Sequence, residues 1–369
     1  MNSSKPFSSS FIAVALAIIL ALLSAELIVR VAVTSPSIQT FDPELGYRYL
    51  PNSWIMLGKE GWAYNKTNEL GLIDQAVSPS KQHVVVLGDS IVESKQVHYT
   101  DSFAAHIEQT LNEIEIINGG HSSYNPSHYP LVLQRIKQSS KPQLSILFLH
   151  PGEMIGLVSG ATQLIRDENG TLIDILPKVS SADQIKKKLE PFMQHSALFT
   201  HLMRKLKPIA NDAISDYRES VRKLKYAFSS ENTALTQSAP TLDIASLIVS
   251  DGIDRLALIL EKIKRESDGQ LVVVFYDNIQ FLENGKVSLT TDLNEGDAFK
   301  GAAQIAQVPV YDLTPTLVQH YQTTKELPLG FHNLIPGDGH LNPIGHKVVA
   351  DALVPIIQEH LLIQGVAQK

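Results

Sequence analysis

The stretch His83–Ser90 constrains the fold of this 369-residue chain more than any other segment. After His83 it continues as an apolar run rich in valine and ends in Gly-Asp-Ser, with no polar residue inside the run. A short uninterrupted apolar run is typical of a strand buried on both faces, as in a parallel sheet. Gly88 permits a tight turn after it. Ser90 is therefore expected just beyond the carboxyl end of a strand, where open α/β sheets bind ligands.

The strand signal recurs along the chain, and the segments between have the apolar spacing of helices. Further strands are predicted at Ile114–Ile117, Leu144–Leu149, Leu271–Tyr276 and Val308–Asp312. Helices are predicted at Asp101–Asn112, His128–Gln138, Asp254–Arg265, Ala298–Ala306 and Pro343–Leu362. This alternation predicts an α/β domain over residues 81–369, built on a parallel five-stranded sheet with right-handed crossovers. A mainly helical insertion at about 154–250 interrupts it.

The amino-terminal segment has the composition of a membrane anchor. A polar tail, residues 1–10, precedes apolar residues 11–33, which as one helix would be about 34 Å long and span a bilayer core. The alternative is a cleaved signal peptide, but Leu23 occupies the −3 position of the best cleavage site, after Ala25. We expect a single-pass transmembrane anchor, with the following domain periplasmic or extracellular.

Between the anchor and the sheet, residues 34–80 are rich in Pro, Gly, Asn and Tyr. We expect a β-rich extension that packs on the main domain, because a free linker would carry fewer aromatic residues. Basic residues from Lys186 to Lys225 either touch a membrane surface or an acidic polymer, or form a solvated helix face, which is the commoner arrangement.

Charge and cysteine content exclude several classes of function. The formal net charge is −7, and no basic block is present, which argues against nucleic acid as the main partner. The chain has no cysteine. Disulfides, thiolate zinc sites and a cysteine nucleophile are therefore excluded.

Three residues at the ends of the predicted sheet have the types that serine catalysis needs. A serine hydroxyl needs a base to take its proton, and the base needs an acceptor that holds its tautomer. Ser90 follows the first strand, whereas Asp338 and His340 lie in the loop before the last helix. In a sheet of strand order 2-1-3-4-5 all three can meet at one edge. The alternative, a metal site at Asp338, His340 and His346, lacks further clustered ligands.

Three ordered blocks make the chain resemble the SGNH (GDSL-type) hydrolase family. Gly88–Ser90 is similar to the nucleophile block, Asn118–Pro126 to the second block and Asp338–His346 to the final block. Asn68–Gly71 resembles a turn in the extension of membrane-anchored members, and the match spans roughly residues 41–355. The resemblance implies a flavodoxin-like three-layer sandwich, serine chemistry without a metal or other cofactor, and acyl ester substrates.

The resemblance also implies an oxyanion hole, in which the sequence departs from the family pattern. The backbone N–H groups of Ser90 and Ser123 are expected to hold the oxyanion, with Ser123 standing where the family has glycine. The third block normally supplies an asparagine side chain, but here that position is Gly152, whose backbone is one possible donor. Loss of one donor typically costs on the order of a hundredfold in rate. Possible side-chain substitutes are His150, His121 and Asn125.

The sequence thus predicts a membrane-anchored serine esterase with Ser90 as nucleophile, His340 as base and Asp338 as the acid behind it. An acylated small molecule, surface carbohydrate or lipid is the expected substrate, because the anchor keeps the site beside the membrane. Two alternatives stay open. One is a polysaccharide O-acyltransferase that uses the same triad, and the other is a binding module without catalysis, suggested by the missing asparagine.

Overall fold

The computed structural model describes residues 9–158, 162–179, 181–206, 244–268, 270–282, 286–289 and 295–367. The chain divides into two compact units. Residues 1–37 and 189–242 form the smaller unit, and residues 38–188 and 243–369 form the larger one. The polar tail 1–8 and residues 207–243 of the predicted insertion lie outside the described residues.

The smaller unit contains the amino-terminal apolar helix. This helix, α1, runs from Ser9 to Ala32. Its segment Ser10–Ala32 is 23 residues long with a mean hydropathy of 2.8, and none of it is buried inside the protein. The helix is long and apolar enough to cross a bilayer, which a signal sequence would also be.

The larger unit contains the strands and most of the helices. Its strands are β1 (Gln39–Asp42), β2 (Gly46–Tyr49), β3 (Trp54–Leu57), β4 (Ala63–Lys66), β5 (Gln82–Gly88), β6 (Ile114–Gly120), β7 (Leu144–Leu149), β8 (Thr162–Arg166), β9 (Leu172–Pro177), β10 (Leu271–Phe275), β11 (Ile279–Phe281), β12 (Val287–Leu289), β13 (Val310–Asp312), β14 (Leu329–Gly330) and β15 (Pro336–Leu341). The remaining helices are α2 (Ser90–Glu93), α3 (Phe103–Thr110), α4 (Tyr129–Lys137), α5 (Glu153–Val158), α6 (Ser181–His195), α7 (helical residues 197–206), α8 (Ile244–Glu266), α9 (Glu295–Ala306), α10 (Thr314–Thr324) and α11 (Pro343–Ala367). The end of α6 and α7 belong to the smaller unit.

Five parallel strands form the central sheet in the order β6-β5-β7-β10-β13. Numbered along the sequence, this order is 2-1-3-4-5, the flavodoxin-like arrangement. The predicted α/β class, the parallel five-stranded sheet and the strand order are therefore confirmed. The carboxyl ends of β5, β6, β7 and β10 lie side by side at one edge.

The sheet is covered on both faces, which gives three layers. On β5, Val85 and Leu87 pack into a core with residues of α4, α8 and α9, whereas Val84 and Val86 pack into the opposite core with residues of α3, α10 and α11. Alternate side chains of a strand point to opposite faces. A strand buried on both sides therefore needs an apolar residue at every position, as this sequence has.

Short hairpins surround the sheet edge that carries the candidate site. In the extension, β1 pairs with β2 and β3 pairs with β4, both antiparallel. Near the carboxyl end, β14 pairs with β15. This segment was expected to be a loop, because its glycine and proline content is typical of turns. Gly337 and Gly339 take positive φ angles of 82° and 94° within the strand, a conformation open to glycine at little cost.

Candidate active site

The candidate nucleophile Ser90 lies at the junction of β5 and α2 and is half-buried. The side chain of Asp89 accepts a hydrogen bond from the Ile91 N–H at 2.9 Å and so caps α2. Gly88 allows the helix to sit against the strand end, since a β-carbon there would lie 2.4 Å from Cγ2 of Val92. Local sequence thus holds the Ser90 hydroxyl at the edge of the sheet.

The imidazole of His340, on β15, joins Ser90 to a carboxylate. Its Nε2 lies 2.8 Å from Ser90 Oγ, and its Nδ1 lies 2.8 Å from Oε1 of Glu60. The side chains of His340 and Glu60 are 26% and 13% exposed, so both are partly shielded from water. A carboxylate that accepts from Nδ1–H leaves the Nε2 lone pair directed at the hydroxyl. This tautomer is the one a general base requires.

Glu60, and not Asp338, is the carboxylate that contacts Nδ1 of His340. The prediction that Asp338 orients His340 is therefore corrected. Within the described residues the Asp338 carboxylate makes no hydrogen bond to His340. The prediction placed both residues in a tight loop, whereas Asp338 and His340 lie within strand β15. Gly339 leaves room for the other acid, since a β-carbon there would lie 3.2 Å from Oε1 of Glu60.

Glu60 is positioned by the turn between β3 and β4. Oδ1 of Asn333 accepts from the Gly61 N–H at 2.9 Å, and its Nδ2 donates to the carbonyls of Gly61 at 2.8 Å and Gly58 at 3.2 Å. Burial would raise the pKa of Glu60, but the hydrogen bond and charge of His340 outweigh it and lower the pKa below its usual value. The acid is therefore ionised at neutral pH. No motif in the sequence marks Glu60.

Replacing Asn333 with alanine should lower kcat for ester hydrolysis on the order of 10- to 100-fold, with little change in KM. Three hydrogen bonds to the Glu60 turn are lost, and a displacement of about 1 Å in a catalytic group has an effect of this size. Steady-state kinetics on an aryl ester measure it. The exposed neighbour His332, replaced by alanine, is the matched control. Equal kinetics of the two variants would contradict the positioning role.

The predicted oxyanion donors have different surroundings. Gly88 pairs with Gly120 on β6, which places the turn with Ser123 one strand away from Ser90. Ser123 has a φ of 66°, so it accepts the left-handed backbone for which glycine is better suited. Its N–H makes no hydrogen bond with the described residues. The N–H of Gly152, by contrast, donates to Oε2 of Glu295, so the expectation that Gly152 serves as a donor is corrected.

The side chains suggested in place of the missing asparagine also differ in their surroundings. The ring of His121 stacks between Tyr49 and Tyr124, with centroids 4.1 and 4.3 Å away. The Asn125 side chain accepts from the Ser127 N–H at 3.0 Å and donates to the Gly156 carbonyl at 3.4 Å. The Asn125 side chain is therefore already engaged in hydrogen bonds, whereas Nε2 of His121 is buried with no hydrogen-bond partner among the described residues.

His150 is different, because it follows β7 directly. Leu87 pairs with Leu147, so Ser90 and His150 follow the carboxyl ends of neighbouring strands, and the ring of His150 lies 5.2 Å from that of Tyr276. Burial lowers the pKa of His150, although Asp89 opposes the shift. The residue is therefore a neutral imidazole at the sheet edge that carries Ser90, and it remains one of the side chains suggested in place of the missing asparagine.

A buried ion network joins α2 to the loop of Ser123. Both oxygens of Glu93 are engaged: Oε1 accepts from the Tyr49 hydroxyl at 2.6 Å, and Oε2 accepts from Ser122 Oγ and lies 2.8 Å from Lys95 Nζ. Burial raises the pKa of Glu93, but Lys95 and the hydrogen bonds of Lys95 and Ser122 lower it to about 2. Glu93 is thus an internal carboxylate that ties the nucleophile helix, the Ser123 loop and the extension together.

Glu93 should make the protein acid-sensitive. Its folded pKa, about 2, lies below the ordinary glutamate value of 4.5, so its contribution is complete above pH 4.5 and is lost as the pH falls towards 2. At 1.36 kcal/mol per unit, the loss approaches about 3 kcal/mol of unfolding free energy. Urea unfolding between pH 7 and pH 3 measures it. Glu93→Gln should flatten this acid limb, whereas a limb parallel to that of the wild type would contradict the assignment.

His346, the third residue of the metal interpretation, is buried on α11. Its Nδ1 accepts from the Phe103 N–H at 3.3 Å, and burial lowers its pKa to about 3. The side chain therefore acts as a neutral acceptor that joins α11 to α3. Within the described residues, no group of three or more histidine, aspartate or glutamate side chains is arranged to hold a metal ion.

No protein-family model matches the sequence, and no curated protein matches it. Among solved structures the chain is similar to a lipase/acylhydrolase from Enterococcus faecalis, with 11% identity, 75% of this chain and 96% of the other covered, and a TM-score of 0.39. It is similar to a lipolytic protein of the G-D-S-L family from Veillonella parvula, with 11% identity, 74% and 97% coverage and a TM-score of 0.36. An acetyl xylan esterase from Geobacillus stearothermophilus has 11% identity, 75% and 94% coverage and a TM-score of 0.36. At these identities the likeness concerns the fold.

Proposed function

We propose that this chain is a membrane-anchored serine hydrolase that cleaves carboxylic esters, with Ser90 as nucleophile, His340 as general base and acid, and Glu60 as the carboxylate that orients His340. The observation that carries the proposal is the continuous hydrogen-bonded series of Ser90 Oγ, His340 and Glu60, with both links at 2.8 Å. Hydroxyl, imidazole and carboxylate in this order form the arrangement that activates serine on several unrelated folds.

The reaction follows from the positions of the protons. As Ser90 Oγ attacks the ester carbonyl carbon, Nε2 of His340 takes its proton, and the N–H groups of Ser90 and Ser123 hold the negative oxygen of the tetrahedral intermediate. His340 then gives the proton to the leaving alcohol, which departs and leaves an acyl-Ser90. Water attacks the acyl carbon while its proton passes to Nε2. Return of that proton to Ser90 releases the carboxylic acid.

The proposed substrate class is argued from the location that the anchor would give the site. An uncleaved α1 would keep the site within reach of a membrane surface, on its periplasmic or extracellular side. Acyl esters of surface carbohydrates or lipids are available there. Acyl transfer to a sugar hydroxyl differs from hydrolysis only in the nucleophile of the second step, and competition between water and acceptor decides between them.

The experiment uses the full-length protein in detergent with p-nitrophenyl esters of increasing acyl length. Release of nitrophenol with equimolar carboxylic acid supports hydrolysis. If mass spectrometry instead finds the acyl group on an added xylo- or gluco-oligosaccharide, there should be a matching fall in free acid. That result would assign the chain as an acyltransferase in place of a hydrolase. A folded protein that turns over none of these esters and is not labelled by a fluorophosphonate would overturn the enzymatic proposal.

A further inference from the structure

The last turns of α1 carry a carboxylate that caps another helix of the smaller unit. Glu26 accepts hydrogen bonds from Ser196 Oγ at 2.8 Å, from the Ala197 N–H at 2.8 Å and from the Leu198 N–H at 2.9 Å. These N–H groups open α7 and have no partner inside that helix. A carboxylate at this point satisfies them and complements the positive end of the helix dipole.

Further contacts fix the same two regions to each other. Arg30 pairs with Glu26 at 2.7 Å and also donates to the carbonyl of His195, at the end of α6, at 3.0 Å. On α7, Arg204 donates to Thr34 Oγ1 at 2.9 Å. The end of α6 and the start of α7 are therefore held against the carboxyl-terminal end of α1.

The length of α1 gives the depth at which this junction lies. The 23 residues of Ser10–Ala32 extend about 35 Å, a few ångströms more than a hydrocarbon core of about 30 Å. Glu26 stands six residues before the end, roughly 9 Å along the axis. A helix that spans the core thus places Glu26 roughly 6 Å inside its boundary. A carboxylate there is costly unless it is paired, and Arg30 together with the first turn of α7 supplies the partners.

The end of α6 and α7, which meet at this junction, expose large apolar side chains. Leu202 and Leu206 are 50% and 45% exposed, and Phe192 is 63% exposed. Leu202 and Leu206 are one turn apart and share a face of α7. Lys205, which is also exposed, lies beside them. Apolar side chains with an adjacent basic residue are typical of helices that lie in a membrane interface.

We propose that α7 and the end of α6 lie in the interfacial layer of the bilayer, with Phe192, Leu202 and Leu206 in contact with acyl chains. The bilayer is the partner because these helices are held against the carboxyl-terminal end of α1, whose own exposed apolar side chains would face acyl chains. The inference rests on the proposal that α1 is retained as an anchor, and it does not depend on the ester chemistry.

Since the chain has no cysteine, single labels test this in the full-length protein. Nitroxides on Phe192→Cys, Leu202→Cys and Leu206→Cys, reconstituted in phosphatidylcholine–phosphatidylglycerol vesicles, should collide with oxygen in preference to a water-soluble nickel complex, at depths of about 5–10 Å. A label on Leu16→Cys, inside α1, is the deep reference. A label on Lys347→Cys, whose side chain is 62% exposed on α11, is the aqueous reference.

Three results would overturn the inference. Nickel accessibility at 192, 202 and 206 equal to that at 347, with position 16 still deep, would show the face in water. Exclusion of both reagents would show that protein covers it. A water-exposed label at position 16 would show that α1 does not span the bilayer, which would overturn both the proposed anchor and the inference. Ester turnover of each labelled protein, measured in parallel, separates these outcomes from a failure of the proposed chemistry.

Discussion

Replacement of Ser90 by alanine should lower kcat for aryl ester hydrolysis at least about 10⁴-fold and abolish labelling by a fluorophosphonate. The hydroxyl is the only atom of the proposed series that bonds to the acyl group, so no other residue replaces it. Loss of a catalytic serine typically removes nearly all of the rate enhancement of the triad. Active-site labelling followed by peptide mass spectrometry gives the site directly, and kcat gives the magnitude.

The control for this experiment is Ser94→Ala. Ser94 is buried four residues further along, and its hydroxyl donates to the carbonyls of Ile91 and Val92 at 3.2 and 2.9 Å. We expect that variant to keep its label and most of its activity. If Ser90→Ala retains turnover or labelling at wild-type levels while folded, Ser90 is not the nucleophile.

The second large effect separates the two candidate acids. Glu60→Gln should lower kcat on the order of 10³- to 10⁴-fold, because an amide in this position no longer stabilises the imidazolium or holds the right tautomer. Asp338→Asn should change kcat less than about threefold, since Asp338 does not contact the imidazole and loss of a half-exposed charge near the site is a small perturbation. Each variant converts one carboxylate into the corresponding amide, so the two differ only in which acid is changed.

The measurement is kcat and KM on one ester for the two variants and the wild type, with circular dichroism to confirm folding. The expected signature is a fall in kcat for Glu60→Gln without a comparable rise in KM, because the residue acts on the base and not on substrate binding. The reverse order of the two variants would restore Asp338 as the acid and contradict the geometry described above.

The elements of the central sheet follow from local sequence. Leu144–Leu149 was predicted with the bounds that the structure has, and His83–Ser90 led to the nucleophile turn, because a strand buried on both faces needs a continuous apolar run and the turn after it needs glycine. Elements with weaker periodicity were missed, among them α10, which carries a low density of apolar residues, and the β14–β15 hairpin, whose glycines and prolines are typical of loops.

The predicted oxyanion donors also differ in whether local sequence or only the tertiary fold sets their surroundings. Ser123 was identified from its place in the second block, and its positive φ is a local property of that turn. The use of the Gly152 N–H by Glu295 was not predictable, because the two residues are 143 positions apart. Only the tertiary fold brings Glu295, the first residue of α9, to that turn.

By itself the sequence indicated the strands of the sheet and the serine and histidine at one edge of it, since these depend on apolar periodicity or on short motifs, whereas the strand order was implied by the family resemblance. Tertiary structure alone showed which carboxylate contacts His340. Glu60 and His340 are 280 residues apart, and neither stands in a pattern that names the other. They meet because a hairpin of the extension packs over the active-site edge and because Gly339 has no side chain to keep the carboxylate away.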